Sequence, residues 1–281
     1  MHMKILEILK AIFLGIVEGI TEWLPVSSTG HMILFDEFIK LEVSEAFKEL
    51  FFVVIQLGAI LAVLVLFFDK LNPISKSKSA EEKRSTLRLW AKVLVGAVPA
   101  AVIGFLFDDF LDEYLYRSEI IAVALIVYGI AFIAIEWARG KSGKEYRVTT
   151  VDEITYLDAI KIGTFQILSL VPGTSRSGST ILGGMICGVN RTASAEFSFF
   201  MAIPIMLGAS GLKVLKYLFE GNIPSLPEVC YLLIGMAVAF AVSMLVIKFL
   251  MDFVKKHTFA PFGVYRIILG VIVIIYFALK V

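Results

Sequence analysis

The sequence predicts an all-α integral membrane protein built as an inverted-topology repeat, with six transmembrane helices and two re-entrant helix–loop–helix hairpins. Three observations lead to this fold class: a very apolar composition, six uninterrupted apolar runs, and two apolar regions that are interrupted by proline and polar residues. Of the 281 residues, 58% are hydrophobic and 18% are charged, whereas soluble domains average about 45–50% and about 25%. The mean hydropathy is +0.86. A net charge of only +1 argues against a nucleic-acid-binding protein.

The six uninterrupted runs each approach the roughly 20 residues that cross a hydrocarbon core of about 30 Å. They lie at residues 47–68, 89–107, 120–138, 197–219, 229–251 and 262–279. The interrupted regions cover residues 5–35, with a break at Pro25, and residues 157–189, with a break at 172–173. Each piece is too short to cross alone, so both regions are predicted to enter and leave the membrane on the same side.

The order along the chain is hairpin, three spans, hairpin, three spans. Because three is an odd number, the second unit is upside down relative to the first, and in such repeats the site forms where the broken helices meet. We therefore interpret residues 1–281 as a single membrane domain, with repeat one at about 1–140 and repeat two at about 150–281.

The charges of the loops predict the orientation. Lysine and arginine are concentrated at 69–88, at 139–147 and at 255–256, whereas 36–46 and 108–119 are mostly acidic. By the positive-inside rule the basic loops are cytoplasmic. The first hairpin then enters from outside, the second enters from inside, and both termini are outside. The oligomeric state is left open, with a homodimer as one option.

Ionisable groups in the first hairpin are unexpected in so apolar a region and indicate function. Glu18 and Glu22 are four residues apart and share one helical face, so they need a cation, a shared proton or a positive neighbour. A divalent ion, Mg²⁺ or Ca²⁺, that bridges the carboxylates and phosphate oxygens would satisfy them. A pair of protonated glutamates is the structural alternative. The polar residues that follow in the break are Ser27, Ser28, Thr29 and His31.

The hydroxyl groups and the imidazole of this break offer a nucleophile in two ways. Ser28 could attack with His31 as its base and a glutamate to orient the histidine. Alternatively, His31 attacks phosphorus itself and a hydroxyl group positions the substrate. Helix capping is the structural alternative for one or two of the hydroxyl groups, but it does not account for the imidazole.

The second hairpin carries groups that suit a phosphate. Arg176 offers a planar fork of donors that can bind phosphate through two nitrogens. Gly173 and Gly178 allow close approach of the backbone, and the half-helix beyond them attracts anions at its N-terminus. The nearby hydroxyl donors are Thr174, Ser175, Ser177, Ser179 and Thr180. The alternative is an arginine that reaches out to the membrane interface.

Together the two hairpins predict phosphoryl transfer to water on a phosphate ester or anhydride with a lipid tail. One hairpin supplies carboxylates, a nucleophile and a metal site, and the other binds phosphate. A secondary transporter or lipid flippase is the alternative, because inverted repeats with broken helices are common there. A transporter needs a charged site but no activated nucleophile. A purely structural membrane protein would leave the buried charges unexplained.

The motifs also resemble a known family. The pattern Glu-x-x-x-Glu at 18–22 is followed by Leu-Pro-Val-Ser-Ser-Thr-Gly-His at 24–31, and Pro-Gly-x-Ser-Arg-Ser-Gly occurs at 172–178. This combination is similar to the undecaprenyl pyrophosphate phosphatases, also called the bacitracin-resistance proteins. The likeness runs along the whole chain and includes residues 54–58, 196–199 and 261–266.

This resemblance implies hydrolysis of undecaprenyl pyrophosphate to undecaprenyl phosphate and inorganic phosphate, which recycles the carrier lipid for peptidoglycan synthesis and confers bacitracin resistance. It implies a multi-pass enzyme of the bacterial plasma membrane whose active site faces outward and uses Mg²⁺ or Ca²⁺. The implied catalytic residues are Glu18, Glu22, Ser28, His31 and Arg176, of which the two glutamates hold the metal. The implied substrate contacts are Ser27, Thr29, Ser175, Ser177 and Thr180.

Overall fold

The computed structural model describes residues 4–36, 38–115, 117–143 and 145–280. Every regular element in these ranges is helical: α1 (Ile5–Thr21), α2 (Ser28–Asp36), α3 (Glu45–Leu66), α4 (Phe68–Leu71), α5 (Ala80–Leu115), α6 (Ser118–Ser142), α7 (Tyr156–Ile167), α8 (Arg176–Ile186), α9 (Arg191–Phe219), α10 (Leu226–Lys256) and α11 (Ala260–Lys280), with 3₁₀ turns at Val151–Glu153 and Leu168–Leu170. Glu37, Lys144 and the side chains of 108–113, which contribute to the predicted loop charges, lie outside the described part.

Within the described ranges, six helices have the length and apolarity of membrane spans, which confirms the predicted number. They are α3, α5 as far as Phe107, α6, α9, α10 and α11. Two boundaries of α5 differ from the prediction. The helix begins at Ala80, before the apolar run, and it continues to Leu115 beyond a kink at Phe107, so most of the predicted loop at 108–119 is helical. Hydropathy locates the apolar part of a helix and misses its polar extensions.

Each interrupted region forms two short helices joined by a non-helical break. At 1.5 Å per residue, α1 and α2 reach about 25 Å and about 14 Å, and α7 and α8 reach about 18 Å and about 17 Å. In the first region the chain turns back on itself, because the rings of Phe13 and Phe35 lie 5.1 Å apart. In the second, Arg147 binds both Asp158 in α7 and the carbonyl oxygen of Cys187 just after α8. This geometry is consistent with two re-entrant hairpins.

The second helix of each hairpin begins with the same backbone conformation and the same capping hydrogen bond. Ser27 and Ser175 have left-handed φ angles of 76° and 75°, which cost a non-glycine residue about 1–3 kcal/mol. The hydroxyl oxygen of Ser27 accepts a hydrogen bond from the amide of Gly30 at 3.2 Å, and that of Ser175 accepts one from the amide of Gly178 at 3.1 Å. Matching strained positions in the two hairpins are what an inverted repeat predicts.

Glycines bring the first helix of each hairpin close to a span. α1 lies against α10, where Gly15 faces the carbonyl oxygen of Gly235, and α7 lies against α5, where Gly163 faces the carbonyl oxygen of Gly96. An inverted repeat would make these two contacts equivalent, since α5 and α10 are the second spans of their repeats. The repeat boundary near 140–150 stays a prediction.

Replacing Gly163 by alanine is expected to destabilise the protein, because the added methyl carbon would lie 2.1 Å from the carbonyl oxygen of Gly96. Overpacking of this kind costs about 1–3 kcal/mol. The matched control is Gly208→Ala on α9, where the same methyl carbon meets nothing within 4 Å. Thermal unfolding in one detergent, followed by tryptophan fluorescence, compares the two variants. Equal midpoints would contradict the close contact between α5 and α7.

Candidate active site

Glu22 joins the two hairpins. It is the residue after α1, and its amide donates to the carbonyl oxygen of Glu18. The buried carboxylate accepts from both sides: Oε1 accepts from Nη2 of Arg176 at 2.8 Å, and Oε2 accepts from Oγ of Ser28 at 2.6 Å. Distances this short are typical of charge-assisted hydrogen bonds. Three predicted site residues from both hairpins, Ser28, Glu22 and Arg176, are therefore connected by hydrogen bonds.

Arg176 begins α8 and is held on several sides. Besides Glu22, it binds the carbonyl oxygen of Ser198 on α9 through Nη1 at 2.8 Å, and its guanidinium carbon lies 5.6 Å from the centre of the Trp23 ring. Its Nε is buried and has no hydrogen-bond partner in the described part of the chain. The side chain is thus fixed by an ion pair, hydrogen bonds to Ser198 and a cation–π contact, and the Nε–H group is left for a ligand.

Glu18 is buried, and its carboxyl group adjoins that of Glu22. Its Oε1 atom has no partner among the described residues. Buried polar atoms are normally paired, so this oxygen is suited to a group that the chain does not supply. The described residues include no cluster of three or more His, Cys, Asp or Glu side chains that could hold a metal ion. Two carboxylates completed by substrate phosphates are nevertheless a common donor set for Mg²⁺, and this pair fits it.

His31 lies in the first turn of α2, and both of its ring nitrogens have partners other than Ser28. Nδ1 lies 2.7 Å from the carbonyl oxygen of Ser27, and Nε2 lies 2.7 Å from the hydroxyl oxygen of Tyr265 on α11. A carbonyl oxygen only accepts, so Nδ1 carries the hydrogen and a neutral ring accepts from Tyr265 at Nε2. The serine–histidine pair of the first nucleophile hypothesis is not formed here, and Glu22 is the basic group that Ser28 contacts.

In four of the five residues predicted to contact the substrate, the hydroxyl group forms a hydrogen bond with another group of the protein. Ser27 and Ser175 cap α2 and α8. Ser177 donates to a backbone carbonyl of the first hairpin at 3.0 Å, and Thr180 donates to a hydroxyl group of α9 at 2.7 Å. Thr29 lies in the first turn of α2 and is partly exposed. Ser177 therefore joins the second hairpin to the first, and Thr180 joins it to α9.

Tyr265 and Arg266 have no role in the hypothesis drawn from the sequence, although both belong to the last predicted span. Arg266 is fully buried. It donates to the carbonyl oxygen of Pro25 in the first break at 3.1 Å and to that of Gly173 in the second at 2.7 Å, so one guanidinium ties both breaks together. The available signal was its position, since an arginine inside an apolar span is as unexpected as the glutamates of α1.

Comparisons with known proteins place this chain in one family. The family described as bacitracin resistance protein BacA matches residues 11–272. A relative from Enterococcus faecalis, named undecaprenyl-diphosphatase, is 57% identical over 277 residues, which are 98% of this chain and 99% of the relative. The undecaprenyl-diphosphatase of Desulfitobacterium hafniense is 56% identical over 99% of both chains, and undecaprenyl-diphosphatase 1 of Clostridioides difficile is 54% identical over 98% of both. This chain therefore belongs to the bacitracin resistance protein BacA family.

Proposed function

We propose that this protein is an undecaprenyl-diphosphatase, which hydrolyses undecaprenyl pyrophosphate to undecaprenyl phosphate and inorganic phosphate. The names of relatives that match nearly the whole chain support the substrate. The reaction type is supported above all by the buried hydrogen bonds that connect Ser28 to Glu22 and Glu22 to Arg176. They join a nucleophile, a proton acceptor and a phosphate-binding cation.

We assign a role to each of the three residues, Ser28, Glu22 and Arg176. Arg176 binds the oxygens of the terminal phosphate and balances their growing charge. Oγ of Ser28 forms a bond to the terminal phosphorus while the bond from that phosphorus to the bridging oxygen breaks, and the serine proton passes to Glu22. Undecaprenyl phosphate leaves. Water then attacks the phosphorus of the phosphoserine while the bond from that phosphorus to Oγ breaks. Oγ takes back the proton held by Glu22, and the phosphate leaves with both protons of the water.

Glu18 and Glu22 are the proposed ligands of a divalent cation, Mg²⁺ or Ca²⁺. The unpartnered Oε1 of Glu18 supports this assignment. When bound, the ion would neutralise charge on the pyrophosphate and orient its oxygens. Glu22 has both a cationic and a hydroxyl partner within the chain, so Glu18 is the freer of the two carboxylates for this role.

The proposed site faces the outer side of the plasma membrane. The support is the distribution of charge, because the basic linkers at 69–88 and 139–147 favour the cytoplasm. The first hairpin then enters from outside and carries Glu22 and Ser28 inward. Substrate that presents its pyrophosphate at the outer surface would meet this hairpin first.

Purified protein in detergent is expected to release inorganic phosphate from undecaprenyl pyrophosphate when Mg²⁺ or Ca²⁺ is present. Chelation by EDTA should abolish the release, because the carboxylate pair then repels the pyrophosphate, and added Mg²⁺ or Ca²⁺ should restore it. A colorimetric phosphate assay measures both effects. Binding of the lipid without any phosphate release, at every metal tested, would contradict the enzyme and favour the transporter alternative.

Replacing Ser28 by alanine is expected to abolish an acid-stable phosphoenzyme, because the atom that would carry the phosphate is removed. The wild-type protein, quenched in acid within milliseconds of mixing with ³²P-labelled lipid, should retain label on serine. His31→Gln, which leaves the bond between Ser28 and Glu22 in place, is the control. In a parallel alkaline quench, which preserves phosphohistidine, label that persists on histidine in Ser28→Ala would instead identify His31 as the nucleophile.

A further inference from the structure

The strained turn before Ser28 is held by His31. The backbone of Ser27 has a left-handed φ of 76°, a conformation that persists only where surrounding groups hold it. The carbonyl oxygen of Ser27 accepts from the main-chain amide of His31 at 3.2 Å and from Nδ1 of its imidazole at 2.7 Å. This carbonyl belongs to the peptide group that links Ser27 to Ser28, so its orientation sets the direction from which Oγ of Ser28 approaches Glu22.

The second hairpin contains the same bond without a histidine. Ser175 is the strained counterpart of Ser27, and Ser179 follows it by four residues, as His31 follows Ser27. Oγ of Ser179 donates to the carbonyl oxygen of Ser175 at 3.0 Å. A serine at this position has no imidazole nitrogen that could act as a base, so the shared bond indicates a shared function in holding the turn.

A tyrosine contacts this donor side chain in each hairpin. The hydroxyl oxygen of Tyr265 on α11 lies 2.7 Å from Nε2 of His31, and Tyr128 on α6 is a hydrogen-bond partner of Ser179. Because α6 and α11 are the third spans of the two repeats, the tyrosines lie on corresponding helices. The arrangement of strained serine, donor side chain and tyrosine therefore occurs once in each half of the protein.

The hydroxyl group of Tyr265 determines which nitrogen of His31 carries the hydrogen. In a neutral imidazole, a hydrogen bond accepted at one nitrogen places the hydrogen on the other. With Tyr265 as the donor to Nε2, the hydrogen lies on Nδ1, where the carbonyl oxygen of Ser27 needs it. Without this hydroxyl group the hydrogen is free to move to Nε2, and Nδ1 would then face the carbonyl oxygen with no hydrogen between them.

We propose that Tyr265 is a positioning residue for the phosphatase reaction, an inference that rests on the proposed function. It fixes the Nδ1–H form of His31, and His31 in turn holds the carbonyl of Ser27 so that Ser28 faces Glu22. Tyr265 thus acts on the nucleophile through another side chain, and its contribution falls on kcat.

Tyr265→Phe is the direct test, because it removes only the hydroxyl group. The kcat for undecaprenyl pyrophosphate should fall about tenfold, the factor that corresponds to one hydrogen bond, and KM should stay unchanged because Arg176 still binds the phosphate. The matched control is Tyr156→Phe on α7, since Tyr156 is 47% exposed and Tyr265 is 45% exposed. Equal kcat values in the two variants, or a loss that appears only in KM, would overturn the proposal.

Variants of His31 separate positioning from base catalysis. His31→Asn should retain most of kcat, because the amide offers a donor close to the position of Nδ1, whereas His31→Leu should lose at least as much as Tyr265→Phe. Adding Tyr265→Phe to His31→Asn should cause no further loss, since both residues act through one bond. Equal losses in His31→Asn and His31→Leu, or losses that multiply in the double variant, would overturn the proposal.

The hydrogen on His31 also gives a readout that does not depend on turnover. In a protein whose His2 and His257 are replaced by glutamine, His31 is the only histidine. With ¹⁵N-labelled histidine, NMR in bilayers should show a protonated Nδ1 and an unprotonated Nε2, and Tyr265→Phe should increase the Nε2–H form. Nitrogen shifts that are unchanged in Tyr265→Phe would overturn the proposal. If wild-type protein releases no phosphate from undecaprenyl pyrophosphate, the proposed function fails, and these spectra still decide whether Tyr265 fixes His31.

Discussion

Arg176→Ala is expected to lower kcat by about 10²–10³, the loss typical of removing one donor that stabilises a transition-state oxyanion. The guanidinium group is held against Glu22, Ser198 and Trp23, so it does not need to reorganise when phosphate arrives. Alanine leaves the growing charge on the transferring phosphate uncompensated. It also leaves the buried carboxylate of Glu22 without its cation.

Phosphate release from undecaprenyl pyrophosphate at saturating lipid measures the loss. Arg88→Ala is the control, since it makes the same chemical change at an exposed residue of α5. Arg176→Lys should recover only part of the rate, because an ammonium keeps the charge and loses the planar fork. A near-normal kcat in Arg176→Ala would remove this residue from the phosphate-binding role.

Glu22→Gln is expected to lower kcat by about 10²–10⁴, the usual contribution of a positioned proton acceptor. The amide preserves the shape of the side chain, but its oxygen does not take the proton of Ser28. Added metal should not restore the rate, because the missing function is proton transfer. Glu18→Gln is the comparison: it should raise the metal concentration needed for half-maximal rate, and excess Mg²⁺ or Ca²⁺ should recover much of kcat.

The unfolding midpoint has to be measured for Glu22→Gln as well. Removing one partner of a buried ion pair costs about 3–5 kcal/mol in soluble proteins, and the guanidinium of Arg176 would lose its charged partner while it keeps its bonds to Ser198. The assignment holds if the variant remains folded and loses turnover at every metal concentration. It fails if excess metal rescues Glu22→Gln and Glu18→Gln equally, because both glutamates would then act only as ligands.

The membrane architecture follows from local features of the chain. Six apolar runs predict six spans because the hydrocarbon core demands a fixed length of apolar helix, and the breaks at Pro25 and at 172–173 follow from local backbone chemistry. The polar extensions of α5 at both ends are missed for the same reason, since charged turns beyond the hydrocarbon carry no hydropathy signal.

Only part of the candidate site could be predicted from the sequence. The two glutamates, the serine and histidine of the first break and the arginine of the second stand out because ionisable groups are costly in apolar segments. That argument selects residues and leaves their pairing open. It could not separate a serine activated by His31 from one that contacts Glu22, because the two arrangements use the same residues at the same spacing.

The order of residues alone determined how many helices cross, where the two hairpins break and which side chains are too polar to lie in the membrane without a function. Only the tertiary structure decided that Arg176 meets Glu22, that Tyr265 takes Nε2 of His31, and that Arg266 ties the two breaks. The physical reason is distance along the chain. Each of these contacts joins helices whose relative position depends on packing between distant spans, and hydropathy and spacing describe only one segment at a time.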